Sequence, residues 1–213
     1  MAKYDAKANE FLRRLPARLP ADVAESVRYS FAMASTFAEK AADVRADGRL
    51  SVAGHSERIG EALRKGPLGY LAQARKSLTR HQLAAQAELA QLVLPVDRTD
   101  MFGEAQRQEI RAILRGMSDV ERIRIVVESR DPQVKEAVIF ASPLASGLPA
   151  EITARVHAEM LRERFGSRID AAAELKDGLA DAEFALGEAE NDLRRESGLP
   201  EGEFQVAKHA TAA

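Results

Sequence analysis

The chain has 213 residues, 46% hydrophobic and 30% charged, enough to bury a core, and disorder is excluded as its main state. Aromatics make up only 5%, Trp is absent, and Gly and Pro number 13 and 8, a composition that suits helices packed by Leu, Ala, Ile and Val rather than a β-sandwich. With no Cys, disulfides, thiol nucleophiles and Cys-ligated zinc or iron–sulfur centres are excluded too.

The formal net charge of −2 conceals a split: residues 1–81 hold 15 basic and 9 acidic side chains, residues 82–213 hold 16 and 24. Such an asymmetry steers a nucleic acid to the N-terminal half, orients copies head to tail, or belongs to ordinary solvated helix faces. Charges interrupt the N-terminal Met-Ala-Lys-Tyr-Asp-Ala-Lys-Ala where a signal peptide has an apolar core, and no apolar run reaches membrane-span length, so a cytoplasmic protein is expected. Arg outnumbers Lys by 23 to 8, a bias associated with GC-rich bacterial genomes and their phages.

Residues 3–14 read as a short helix stopped by Pro16 and Pro20, which cannot continue the hydrogen-bond ladder. From Ala21 to Ala46, Val23, Val27, Phe31, Ala34, Ala38 and Ala41 recur at three- and four-residue steps, giving one apolar stripe that Asp47-Gly48 ends. Ser56 is the expected N-cap of a helix bearing Ile59, Ala62 and Leu63, and Pro67 opens another that runs to Leu94. After a turn at Val96-Asp97-Arg98-Thr99, a helix over 100–115 carries Phe102, Ala105, Ile110, Ile113 and Leu114 and closes at Gly116.

Ser118 and Glu121 form a capping box, and Asp131-Pro132 begins the helix that follows it. Arg122-Ile-Arg-Ile-Val-Val127 also alternates like a strand, and 137–140 could pair with it, but the capping signals favour helix. Residues 142–149 read as a loop. Beyond Pro149, Ala172, Leu175, Leu179, Ala182, Leu186, Ala189 and Leu193 follow a strict alternation of three- and four-residue steps, a coiled-coil seam whose frame extends back through Phe165 to Leu161. That seam either packs back on the chain's own helices as a bundle or binds another helix.

Chemistry is sparsely marked. Phosphate-cradling glycine motifs are missing, and Gly54-His-Ser-Glu-Arg58 has Arg where a nucleophile elbow has its second glycine. His55, His81, His157 and His209 lack the helical partner spacing of a metal pair, so no metal or other cofactor is expected. A helix-turn-helix shape spans Gln108 to Ser129, with Ala112 and Gly116 at the small-residue and turn positions, yet Arg122 stands where an apolar packing residue belongs.

The fold expected is all-α, an antiparallel helical bundle with a long C-terminal coiled-coil-type helix: a multi-helix bundle over 1–148, the long amphipathic helix over 149–197 and a flexible tail over 198–213. The function expected is a non-enzymatic helical interaction protein, a bacterial or phage adaptor, scaffold or assembly factor. It would act through Leu161, Phe165, Ala172, Leu175, Leu179, Ala182, Leu186, Ala189 and Leu193, by self-association or partner binding. The alternative is a nucleic-acid-associated protein using the basic N-terminal half or the 108–129 hairpin, with Arg75, Lys76, Arg80, Arg122 and Arg124 as contacts.

Overall fold

The computed structural model describes residues 2–97 and 99–212; Met1, Ala213 and Arg98, the last within the turn expected at 96–99, lie outside the described residues. The fold is all-α, its helices packed on one another, with no strand among the described residues. In chain order the helices are α1 (Ala2–Arg14), α2 (Ala21–Ala46), α3 (Val52–Lys65), α4 (Pro67–Ala90), α5 (Met101–Arg115), α6 (Asp119–Glu128), α7 (Pro132–Ile139), the short α8 (Pro143–Ser146), α9 (Ala150–Ser197) and α10 (Glu201–Ala212). None is long and apolar enough to cross a membrane. The capping chemistry fixes several starts: Ser118 Oγ accepts from the Glu121 amide while Glu121 returns the bond, and Asp131 caps α7 with Pro132 at its first position. The 122–127 stretch is therefore helix. Ser51, not Ser56, caps α3 by accepting from Gly54 N at 3.1 Å, so Gly54–Arg58 is ordinary helix rather than an elbow.

The chain divides into two compact units, residues 1–87 with 171–213 and residues 88–170, in place of the division expected at 148. In the first unit the α2 stripe meets Ile59 and Leu63 of α3, Leu71 and Leu78 of α4, and the α9 seam. Leu179, Ala182, Leu186, Ala189 and Leu193 are all at most 1% exposed, joined by Ala185 on the same face. Burying side chains of that size contributes about 1.5 to 3 kcal/mol each for the leucines, so the seam is the spine of this unit. The stretch expected as a flexible tail is α10. Gly198, in the left-handed region at φ +63, and Pro200 turn the chain, and Phe204 and Ala207 then enter the same core. Of the rest of the expected seam, Ala172 is buried and Leu175 packs at the edge of this core, while Leu161 and Phe165 are half-buried in the second unit, where α9 departs from helical geometry at Phe165 (φ −122, ψ 18).

The charge split of the sequence closes on itself inside the first unit. Lys7 of α1 lies between Asp192 (2.8 Å) and Glu188 (3.0 Å) of α9, Tyr4 donates to Glu196 at 2.6 Å, and Arg75 of α4 meets Glu190, which also takes Lys208 of α10. Asp22, in the first turn of α2, accepts from Ser77 and His81 of α4, and these bonds hold its carboxyl down at about 2.

Two glycines of α9 behave oppositely. A Cβ on Gly178 would sit 2.7 Å from Pro16 Cδ and nearer still to Cγ, so the close approach of the 15–20 loop requires glycine there; nothing lies within 4 Å of a Cβ on Gly187. Gly178→Ala is accordingly expected to lower the unfolding free energy by about 1 kcal/mol, overpacking of roughly 2 exceeding the helix-propensity gain of about 1. Gly187→Ala is expected to raise it by up to about 1 kcal/mol. Urea midpoints of the two variants check the pair.

Candidate functional site

The second unit, residues 88–170, is built around Leu114, Val126, Val138, Leu148 and Val156, a smaller apolar cluster than that of the first unit. Its helices are short, and each leaves backbone carbonyls unpaired at its C-terminus. Arginines answer that need. Arg111 Nη1 donates to Ala137 O in the last turn of α7 at 3.0 Å, and Arg122 Nε donates to Leu114 O in the last turn of α5 at 2.8 Å. The same Arg122 guanidinium reaches Met117 O at 3.0 Å and Gly147 O, while Arg115 donates to Ala145 O of α8. Gly147 has φ +68, and a Cβ on it would sit 2.6 Å from Arg122 Nη1, so both the turn and the arginine require glycine at this point.

Placing arginines inside gives α5 a reversed polarity. Arg107 and Arg111 are 8% and 7% exposed, and Glu104 bridges them, accepting from Arg111 Nη2 at 2.6 Å and Arg107 Nε at 3.0 Å. The two guanidiniums keep the Glu104 carboxyl below its usual range, Arg111 contributing most. Ile110 and Leu114 share that inner side. The opposite side presents Met101 (83% exposed), Phe102 (76%) and Ile113 (55%), with Ala105, Glu109 and Ala112 between them, all exposed. At 3.6 residues per turn these positions fall on one face of a helix about 22 Å long. The helix thus carries two apolar stripes, Phe102, Ala105 and Ile113 on one and Ile110 and Leu114 on the other.

Beside this face lies an open cavity of about 560 Å³ in which Val96, Met101 and Ala105 meet the carboxylates of Asp97, Asp100 and Glu104. Asp100 caps α5 by accepting from Gly103 N at 2.8 Å, and Asp97 accepts from the amide and hydroxyl of Thr99, which hold its carboxyl below the ordinary value. Elsewhere in the unit Lys135, 5% exposed, is clasped by Glu159 (2.6 Å) and Glu163 (3.2 Å), and the Glu159 bond above all raises its pKa.

The residues expected to touch nucleic acid divide between occupied and exposed. Arg122 is buried on backbone carbonyls, filling the apolar-looking position of the helix-turn-helix pattern; Arg75 pairs with Glu190, Arg80 pairs with Asp22 while staying exposed, and Lys76 and Arg124 are exposed. No group of three His, Asp or Glu side chains arranged to hold a metal ion occurs among the described residues. Compared with known protein families, curated proteins and solved structures, the chain gives no match.

Removing the Arg122 guanidinium takes this donor from three carbonyls, of which Leu114 O keeps the Met117 amide. Arg122→Met is expected to destabilise the second unit by about 3 kcal/mol, and Arg122→Lys to recover less than half, since one ammonium cannot span the three acceptors. Hydrogen exchange of the 110–128 amides measures both; exchange unchanged from the parent would show that Arg122 caps nothing of consequence.

Proposed function

We propose that this chain is a non-enzymatic helical interaction protein, an adaptor, scaffold or assembly factor, and that its partner docks on the outward face of α5. The carrying observation is the inversion of that helix: Arg107 and Arg111 lie inside while Met101, Phe102 and Ile113 face solvent. A helix that needed only to be solvated would place these side chains the other way round, and clustered exposed apolar groups of this size mark interaction surfaces. Burying the three against a partner contributes about 1.5 to 3 kcal/mol apiece before the cost of association. The α9 seam does not serve this purpose, because its leucines already fill the first unit. Of the contacts expected for the nucleic-acid alternative, Lys76, Arg80 and Arg124 are exposed, while Arg122 is buried and Arg75 pairs with Glu190, which favours the protein partner.

The chain has no cysteine, so single engineered ones report cleanly. Ala105→Cys and Ile113→Cys are expected to react with a maleimide at least about fivefold more slowly inside the native host than in the purified protein, because a bound partner excludes the reagent. Asp43→Cys, on the exposed side of α2, is the control and should react alike in both. Equal reaction at all three positions would contradict the docking face.

A further inference from the structure

The α5 face carries information about what covers it, and this inference rests on the docking face proposed above. Its middle holds one carboxylate, Glu109, set between Ala105 on one side and Ala112 and Ile113 on the other, all exposed. Its N-terminal end opens on the cavity where Asp97 and Asp100 stand beside Val96 and Met101. Among the described residues Arg107 also lines this cavity, and it is committed to carboxylates of its own helix end, 3.0 Å from Glu104 and 3.9 Å from Asp100. A partner approaching this face meets apolar side chains bordered by carboxylates.

We infer that the occupant is an amphipathic helix of another protein, with apolar side chains seated on Phe102 and Ile113 and lysines or arginines set against Glu109 and the Asp97–Asp100 cavity. A second copy of the same face is the wrong occupant on charge. Two-fold pairing of α5 on itself about the middle of this face sets Glu109 against Ala105 of the copy, burying two carboxylates with no cation on the face to meet them. A cation set against Glu109 forms a pair where self-pairing leaves the carboxylate without one, and carboxylates around the apolar seat raise the encounter rate of a basic segment. In helix-in-groove recognition of this kind the docking helix supplies apolar anchors at i, i+3, i+4 and i+7.

The test uses two fluorescent helical peptides with leucines at alternating three- and four-residue steps, identical except that the flanking positions are lysine in one and glutamate in the other. Binding to the full chain is followed by anisotropy, and the mass of the free chain by light scattering. The lysine peptide is expected to bind at least about tenfold more tightly than the glutamate peptide, with the difference shrinking as salt rises. Phe102→Ser is expected to weaken the lysine peptide at least about tenfold. Asp97→Asn with Asp100→Asn removes two charges while keeping the turn and the helix cap, and is expected to erase most of the preference between peptides. Equal binding of the two peptides, binding of neither, or indifference to Phe102→Ser overturns the inference. A dimer whose mass halves in Ile113→Ser overturns it in favour of a second copy. Slow labelling at Ile113→Cys in the host, with no lysine preference here, leaves the docking face standing and removes only this partner chemistry; fast labelling removes both.

Discussion

Short helices end in carbonyl groups that need donors, and in the 88–170 unit arginine side chains supply them. Arg111 serves α7, Arg122 serves α5 together with two loops, and Arg115 serves α8. A guanidinium can satisfy several acceptors in a plane, which suits a unit whose apolar cluster is small. The arrangement fixes Gly147 in the left-handed region, ties residues 142–149 to the α5 to α6 turn, and fills the inner side of α5 with charge that Glu104 balances. Arg107 and Arg111 share that side with Ile110 and Leu114, and Met101, Phe102 and Ile113 face outward. The exposed apolar face, proposed above as a docking surface, thus goes with the way the unit is held together.

The other unit solves the same problem by a different route. Its helices are long, their apolar stripes are continuous, and small residues along α9 let neighbouring backbones come close, most tightly where Gly178 meets the Pro16 ring. Polar groups at the margins pair across the primary structure, basic α1 and α4 against acidic α9, so that a sequence which looks divided into opposite halves is locally neutralised on folding. Exposed pairs of this kind contribute little individually; Lys7 with the buried Asp192 differs, since removing either partner strands a desolvated charge.

Much of the fold was legible in the residues. The boundaries of α2, α5, α6 and α7 followed from Asp47-Gly48, Gly116, the Ser118–Glu121 box and Asp131-Pro132, because those signals act within one helical turn. The seam was legible as a stripe but not as to its partner, since spacing specifies a face and says nothing of which helix meets it. The tail was misread because its core contribution is one aromatic, Phe204, and one small residue, Ala207, too sparse a pattern to stand out from a polar stretch. The α5 face was missed for a subtler reason: Phe102 with Ile113 and Ile110 with Leu114 differ by less than a third of a turn in places, and only the burial of Arg107 and Arg111 separates the two stripes. The single sequence hint was Arg122 in an apolar slot, which signalled that arginines in this region point inward.

The central claim is that the α9 seam belongs to the chain's own core and that partner binding is assigned elsewhere. Replacing both Leu179 and Leu186 with Asp, then following helical circular dichroism and mass together, tests this most directly. If the seam is the spine of the first unit, the double variant loses the cooperative unfolding of that unit, since two charges without partners replace two leucines that are 1% exposed. A variant that keeps its helical signal and unfolding midpoint, and loses only an assembly that the parent forms, would contradict the account and return the seam to its role as an intermolecular surface.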